Sequence, residues 1–474
     1  MGRGVMGKML FWAAAVSCAT SCGNEILLSE NLTTQNTAAL RQGIELGKKS
    51  ASFFRQWEAA AESIESITGP QNTADIWETV DDSTDILIPK PSLVTPVAEE
   101  FFAARAGEYV IAYYPSWAQY DSKKLKAAEI DPSMLTHIHY AFAETTEKYV
   151  PFADDIAAHK ENLRALVGLR GQNPDLKLVL SVGGAGGDQY FAPMCAQDKG
   201  IKVFTAGCVA FLEEYDFDGI DLDWEFPQTE QETAGFTRLI HCLRYNLDRL
   251  GQKTGKHYSL SLAGAADVGE LKGIDYSAVG SYLDYVFIMG YNLYGPWNET
   301  AGFNAPLYAP GERDVGENWE NGRTDTVYSL NSIVRTYLGG GLAANQLVLG
   351  LPFYGYVMPV VEAGNVGPGK VIDKNSGEET YVDCRTVFEQ YLDNPAYMEG
   401  WDETAQSPYL DGEGKFISYE DERSIRVKCG LVARYGLAGA GFWELSQDTD
   451  DFRLLRAVWE TMEKLRGQEE IAVE

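Results

Sequence analysis

Hydrophobic positions in this chain change their period part-way along it. From residue 109 onward, short apolar runs rich in β-branched and aromatic residues alternate with stretches of helical spacing. The runs are YVIAYY (109–114), THIHYAFA (136–143), LKLVLSVGG (176–184), GIDLDWE (219–225), YSLSLAG (258–264), YVFIMGY (285–291), LVLGLPFYG (347–355) and GAGFWEL (439–445). Runs of this length and composition read as strands. Amphipathic patterns fill the gaps, among them AAHKENLRALVGL (157–169), QETAGFTRLIHCLRYNLDRL (231–250) and DERSIRVKCGLVARYG (421–436). Eight strands alternating with helices predict an α/β fold, a (β/α)8 TIM barrel.

The gap between the seventh and eighth runs is too long for one crossover. Residues 356–418, which include YVDCRTVFEQYLDNP and GWDETAQSPYLDGEGKFIS, are expected to form a small α+β insertion domain between strands 7 and 8. On the loop face of a barrel such an insertion would wall a cleft. The barrel with its insertion then spans 106–466, followed by an acidic tail at 467–474. Residues 23–105 are polar and mixed, with a helical stretch at 47–67 and a proline-containing linker at 86–96, and read as a spacer.

The first 22 residues read as an export signal. Arg3 and Lys8 supply its positive region, MLFWAAAV (9–16) its apolar core, and small residues follow up to Cys22. The core is too short to span a bilayer. ATSCGN (19–24) is similar to the lipobox of bacterial lipoproteins, which would make Cys22 an acylated first residue. Ala19 stands where Leu is usual and AVSC, ending at Cys18, competes, so lipidation and simple cleavage both stay open. The expected location is secreted or anchored to the outer cell surface, with a lipid anchor as the sole membrane contact.

Charge narrows the choice of partner. Lys and Arg total 39 against 69 Asp and Glu, a net charge of −30 that repels nucleic acid and anionic membranes and leaves neutral or cationic polymers. Outside the leader the cysteines are Cys195, Cys208, Cys242, Cys384 and Cys429, an odd and widely spaced set that makes a poor disulfide framework. No C-x-x-C pair is present, and neither a metal nor a cofactor is expected. His137 and His139 have metal-ligand spacing on a predicted strand, but burial is the preferred reading. Asn31 and Asn298 match the glycosylation sequon.

The chemistry concentrates in DFDGIDLDWEFP (216–227), where five acidic residues fall between Asp216 and Glu225. Alternate side chains of a barrel strand point inward and outward. Ile220, Leu222 and Trp224 suit the helix layer, so Asp221, Asp223 and Glu225 line the interior, with Glu225 at the C-terminal mouth. An acidic run is ordinarily a solvated face, yet three stacked interior carboxylates are costly unless they share protons or bind a cation. A cation would want more oxygen ligands than this strand offers. Crowding raises at least one carboxyl pKa and gives a general acid. The glycine-rich GGAGGD (183–188) lacks both phosphate-binding spacings and reads as a turn at the cleft.

DGIDLDWE (218–225) resembles the D-x-x-D-x-D-x-E signature of the family-18 chitinases. SVGG (181–184), MGYN (289–292) and FWEL (442–445) are similar to that family's third-, sixth- and eighth-strand motifs. GWDETAQSPYL (400–410) and SYEDERSI (418–425) resemble the end of its insertion domain and the helix after it. The resemblance implies retaining, substrate-assisted hydrolysis of β-1,4-linked N-acetylglucosamine in chitin or its oligomers through an oxazolinium ion, with endo cleavage expected over exo. Glu225 would be the acid, Asp223 the group that orients the acetamido N–H, and Asp221 its proton-sharing neighbour. Tyr291 would bond the acetamido oxygen, Trp443 would floor the pocket, and Tyr113, Phe142, Gly184, Met289 and Asn292 would complete it. It also implies non-proline cis peptides at Ala141–Phe142, Glu225–Phe226 and Trp443–Glu444. Three positions depart from the pattern: Asn292 replaces the usual Asp, Ala185 stands where a Trp is frequent, and Tyr356 where many relatives carry an Arg. Peptidoglycan or N-glycan substrates and a non-hydrolytic chitin-binding lectin are the alternatives.

Overall fold

Inward and outward positions along each strand separate into two packed layers. The computed structural model describes residues 86–98, 104–120, 123–149, 156–310, 312, 329–361, 366–378 and 380–467. Cys18 and Cys22, the sequon at Asn31, the helix expected at 47–67 and the tail beyond Gly467 lie outside the described residues.

Seven strands come first: β1 (Tyr109–Pro115), β2 (His137–Ala143), β3 (Lys177–Gly183), β4 (Gly219–Asp223), β5 (Ser259–Gly264), β6 (Tyr285–Ile288) and β7 (Leu347–Pro352). Five more, β8 (Tyr354–Pro359), β9 (Tyr381–Asp383), β10 (Tyr397–Asp402), β11 (Ser407–Gly412) and β12 (Lys415–Ser418), precede β13 (Gly439–Trp443). Strands β1 to β7 and β13 close into a parallel barrel in the order β1-β13-β7-β6-β5-β4-β3-β2. This is the expected (β/α)8 TIM barrel. Val110, Ala112 and Tyr114 face the helix layer, while Ile111 and Tyr113 face the interior with Tyr285, Phe287 and Val348. All three expected cis peptides are present.

The long helices of the outer layer are α1 (Ile156–Gly168), α2 (Asp198–Tyr215), α3 (Glu230–Thr254), α4 (Leu330–Gly339), α5 (Glu422–Tyr435) and α6 (Arg453–Arg466). Local chemistry sets their ends. Thr229 and Glu232 form a reciprocal capping box at the start of α3, and Gly255, at φ 74°, closes it in the left-handed region. Among the described residues no helix is long and apolar enough to cross a membrane.

Strands β8 to β12 form a separate five-stranded sheet in the order β10-β11-β12-β8-β9, inserted between the seventh and eighth barrel strands. Its pairings are antiparallel. Residues 86–98 pack on the barrel wall: Ile86, Val94 and Val97 are buried, and both backbone polar groups of Leu87 bond the Asn246 side chain on α3.

Candidate active site

Strand β4 puts Asp221 and Asp223 inside the barrel, 0% and 3% exposed, while Ile220, Leu222 and Trp224 join the helix layer. Trp224 stacks on Phe191. Glu225 lies just past the end of the strand, exposed at the C-terminal mouth. The strand therefore delivers a graded column of carboxylates from buried to open.

Asp221 sits in a donor cage. Tyr113 and Ser181 each donate to Oδ2 at 2.8 Å, and Ser261 donates to Oδ1 at 2.7 Å. His139 Nδ1 lies 3.3 Å from Oδ2, and its Nε2 meets the Tyr285 hydroxyl at 2.7 Å. Burial alone would raise this carboxyl pKa, but His139 and the donors outweigh it and hold Asp221 below the usual carboxylate range. It is a fixed anion.

Asp223 is the opposite case. Its Oδ1 is buried with no hydrogen-bond partner. Burial first, then Glu225, Asp221 and Asp188, push its pKa well up. Although Glu225 is exposed at the mouth, partial loss of water around its carboxyl comes first in raising its pKa to about 7, followed by Asp188 and Glu270. Asp188, in the loop after β3, also accepts the backbone N–H of Glu225 at 3.1 Å. The column thus holds a carboxylate biased toward its ionised form, a carboxyl biased toward its protonated form, and a third, Glu225, raised to about 7.

Two glycines let the backbone close around it. A Cβ on Gly183, at φ 112°, would fall 2.2 Å from the Asp223 carbonyl oxygen, and one on Gly184 would meet the Phe142 ring at 2.6 Å. The Gly184 N–H donates to that same Asp223 carbonyl at 2.8 Å.

Aromatic residues line the mouth. The Trp443 and Phe142 rings stack at 5.4 Å, and Tyr113 lies 5.6 Å from Trp443. Tyr291 follows β6 with half-buried Met289 two residues before it, and its phenol pKa is pushed up by burial and then by Asp223 and Glu225. Asn292 is exposed beside it, and Ala185 is exposed on the β3 loop. Tyr356 lies 8% exposed on β8, edge-on to Trp297 at 5.2 Å.

All the barrel residues expected from the sequence therefore gather at one mouth. Several others found here were not singled out as site residues. Trp117, 41% exposed and 6.2 Å from both Phe142 and Trp443, follows the first strand, where a loop-face aromatic is the available signal. Ser261 sits at an inward position of a strand whose neighbours are apolar, a parity signal that was legible. Asp188 lay inside the quoted GGAGGD turn. His139 serves Asp221, and His137 packs against Tyr109 and Tyr285. Among the described residues no group of three or more His, Cys, Asp or Glu is placed to hold a metal ion. The five cysteines among the described residues are buried and free.

Comparison with known proteins agrees with this geometry. Residues 109–448 match the family model for glycosyl hydrolases family 18. Chitinase A1 of Niallia circulans is 30% identical over 77% of this chain, which spans 59% of that protein. A family-18 N-acetylglucosaminidase from Paenibacillus barengoltzii is 30% identical with a TM-score of 0.62, covering 74% of this chain and 99% of its own. The Ostrinia furnacalis Group IV chitinase is 25% identical with a TM-score of 0.66, covering 75% and 99%. The carboxylate column, the aromatic mouth and the matched span together make this chain a member of glycosyl hydrolases family 18.

Proposed function

We propose that this protein hydrolyses β-1,4 bonds between N-acetylglucosamine units of chitin or chito-oligosaccharides, with retention and with the substrate as its own nucleophile. The observation that carries the proposal is the split along β4: Asp221 held as an anion, Asp223 with a buried, unpartnered oxygen, and Glu225 titrating at about 7. No side chain in this column is set apart as a nucleophile on the opposite face of a sugar. The 2-acetamido carbonyl oxygen fills that role.

In the first step Glu225 gives its proton to the glycosidic oxygen as the C1–O bond breaks. The acetamido oxygen bonds to C1 and forms an oxazolinium ion. Asp223 accepts the acetamido N–H with the oxygen that lacks a partner, and the Tyr291 hydroxyl donates to the acetamido oxygen. Water then attacks C1 from the face the leaving group vacated and passes its proton back to Glu225. The ring opens and the β-configuration is kept. A neighbouring group so placed acts at an effective molarity of roughly 10⁵–10⁸ M. The family resemblance would have Asp221 share a proton with Asp223; here three hydroxyls already donate to its oxygens, so the mobile proton is assigned instead to Asp223 and Glu225.

The names borne by the Niallia and Ostrinia relatives support chitin as the polymer. Release of single sugars from a chain end is the second reading, favoured by the name of the Paenibacillus relative. From the leader we further propose that the protein acts outside the cytoplasm, either anchored through an acylated Cys22 or released by simple cleavage. Loss of labelled fatty acid from a Cys22→Ala variant tests that point.

Mass spectrometry of products from the full chain and the N-acetylglucosamine hexamer tests the activity. Dimers to tetramers from the native protein, and none from Glu225→Gln, are expected. Monomer alone would favour exo action. Binding without cleavage by the native protein would overturn hydrolysis in favour of a lectin.

A further inference from the structure

Two departures from the family pattern, distant in sequence, meet in space. Asn292 follows β6 on the barrel, and Tyr356 lies on β8 of the inserted sheet. The hydroxyls of Tyr354 and Tyr356 each donate to Asn292 Oδ1 at 2.7 Å. A carboxamide oxygen has two acceptor positions. Both are filled, so the amide orientation is fixed and its two N–H bonds remain on the open side, where Asn292 is exposed next to Tyr291.

The backbone around this amide is equally constrained. Asn292 adopts φ 59°, a left-handed conformation that Asn tolerates better than most residues. Its N–H donates to Asn304 Oδ1 at 2.8 Å, and Asn304 in turn donates to the Tyr354 carbonyl at 3.2 Å. Tyr354 is 3% exposed, edge-on to Tyr291 at 5.9 Å and stacked on Tyr381 at 4.7 Å. Buried tyrosine hydroxyls take a partner wherever one is available. Here both converge on one oxygen, and every member of the unit is neutral.

We propose that Tyr354 and Tyr356 are positioning residues that lock the Asn292 amide with its N–H bonds toward the cleft, so that Asn292 donates to an oxygen of the bound sugar. Asn292 and Tyr356 then form one neutral, hydrogen-bonded unit, so substitutions at the two positions are expected to be coupled. An Asp alone at 292 removes the donor and adds a negative charge at the carboxylate-lined mouth. An Arg alone at 356 places a guanidinium among tyrosine rings with no counter-charge. The two together restore a charge pair with spare N–H donors.

The inference rests on the proposed hydrolysis of N-acetylglucosamine oligomers. The test therefore reads hexamer turnover and, separately, hexamer affinity in the Glu225→Gln background, using the full chain. Tyr356→Phe removes one oxygen atom; it is expected to raise KM and the background Kd about fivefold while kcat stays within about twofold and the melting temperature is kept. Asn292→Asp and Tyr356→Arg should each weaken binding about tenfold or more, and the double variant should return to within about threefold of the native protein. Unchanged KM and Kd in Tyr356→Phe would overturn the positioning role. Losses in the double variant equal to the product of the two single losses would overturn the coupling. If Tyr356→Arg fails to fold, the Phe variant decides. Native protein that binds but does not cleave the hexamer would sink the hydrolase reading, and the affinities would still decide this one.

Discussion

Asp221 and Glu225 differ by four positions on one face of one strand, yet their surroundings drive them apart. Three hydroxyl donors and His139 hold Asp221 below the carboxylate range, whereas partial loss of water, Asp188 and Glu270 bring Glu225 to about 7. In the proposed mechanism the acid form of Glu225 is the working one, so the alkaline limb of kcat/KM is expected near pH 7. Asp188→Asn removes the charge that ranks next after that loss of water, and the limb should move to lower pH. A limb that stays in place would remove Asp188 from the account. Glu225→Gln should lower kcat by roughly 10²–10⁴ with the hexamer still bound, the usual contribution of a general acid. The same shift has a stability sign. A carboxyl whose folded pKa lies above its ordinary 4.5 makes ionisation unfavourable to the fold, so stability is lost as pH rises from 4.5 through about 7. Glu225→Gln abolishes that loss, and its melting temperature should exceed the native value by more at pH 8 than at pH 5. The parity of DGIDLDWE made the column itself legible. The cage was less so: parity marks Ser261 as inward-facing, but that Tyr113, His139, Ser181 and Ser261, from four other strands, converge on Asp221 follows from barrel register alone. His139 illustrates the gap: its spacing from His137 read as a buried ring rather than a metal ligand, and it is buried, but the carboxylate beside it, Asp221, could not be read from the spacing.

Elements were legible where local chemistry marks their ends and illegible where apolar residues serve the cleft. The pattern at 231–250 falls within α3, and Thr229 and Gly255, two cap residues the sequence carries, extend it to Glu230–Thr254. The run YVFIMGY overshoots, since β6 stops at Ile288 and Met289 and Tyr291 belong to the mouth. LVLGLPFYG divides at Phe353, after which Tyr354 pairs in the inserted sheet. That sheet is tied to α5 by Lys428, whose ammonium donates to Ser407 at 2.9 Å and pairs with Glu420, both ends of the ion pair being buried. Lys428→Met strands a buried carboxylate and should cost about 3–5 kcal/mol by denaturant unfolding. Lys428→Met combined with Glu420→Leu should recover most of it. Equal losses in both variants would mean that packing around Lys428, not the charge, carries the effect.

For the whole molecule, alternation of strands and helices specified the closed barrel, because each strand must be covered on both faces and a parallel order needs helical crossovers. The upstream segment was harder to read. Its prolines and polar composition suggested a free linker, whereas Ile86, Val94 and Val97 are buried against the barrel. Each such side chain contributes about 1.5–3 kcal/mol of gross burial. A protein starting at residue 104 should therefore melt below one starting at residue 86, with hexamer turnover by the folded fraction unaltered. Equal melting temperatures would make the segment's packing energetically idle. The net charge of −30 is compatible with the proposed neutral substrate and unfavourable to polyanions. The most direct measurement of the central claim is the anomer released at early times, followed by proton NMR as the full chain cleaves the N-acetylglucosamine hexamer. Substrate assistance through the acetamido group predicts that the β-anomer appears first and then mutarotates. First appearance of the α-anomer would contradict it, and with it the roles assigned to Asp223 and Glu225.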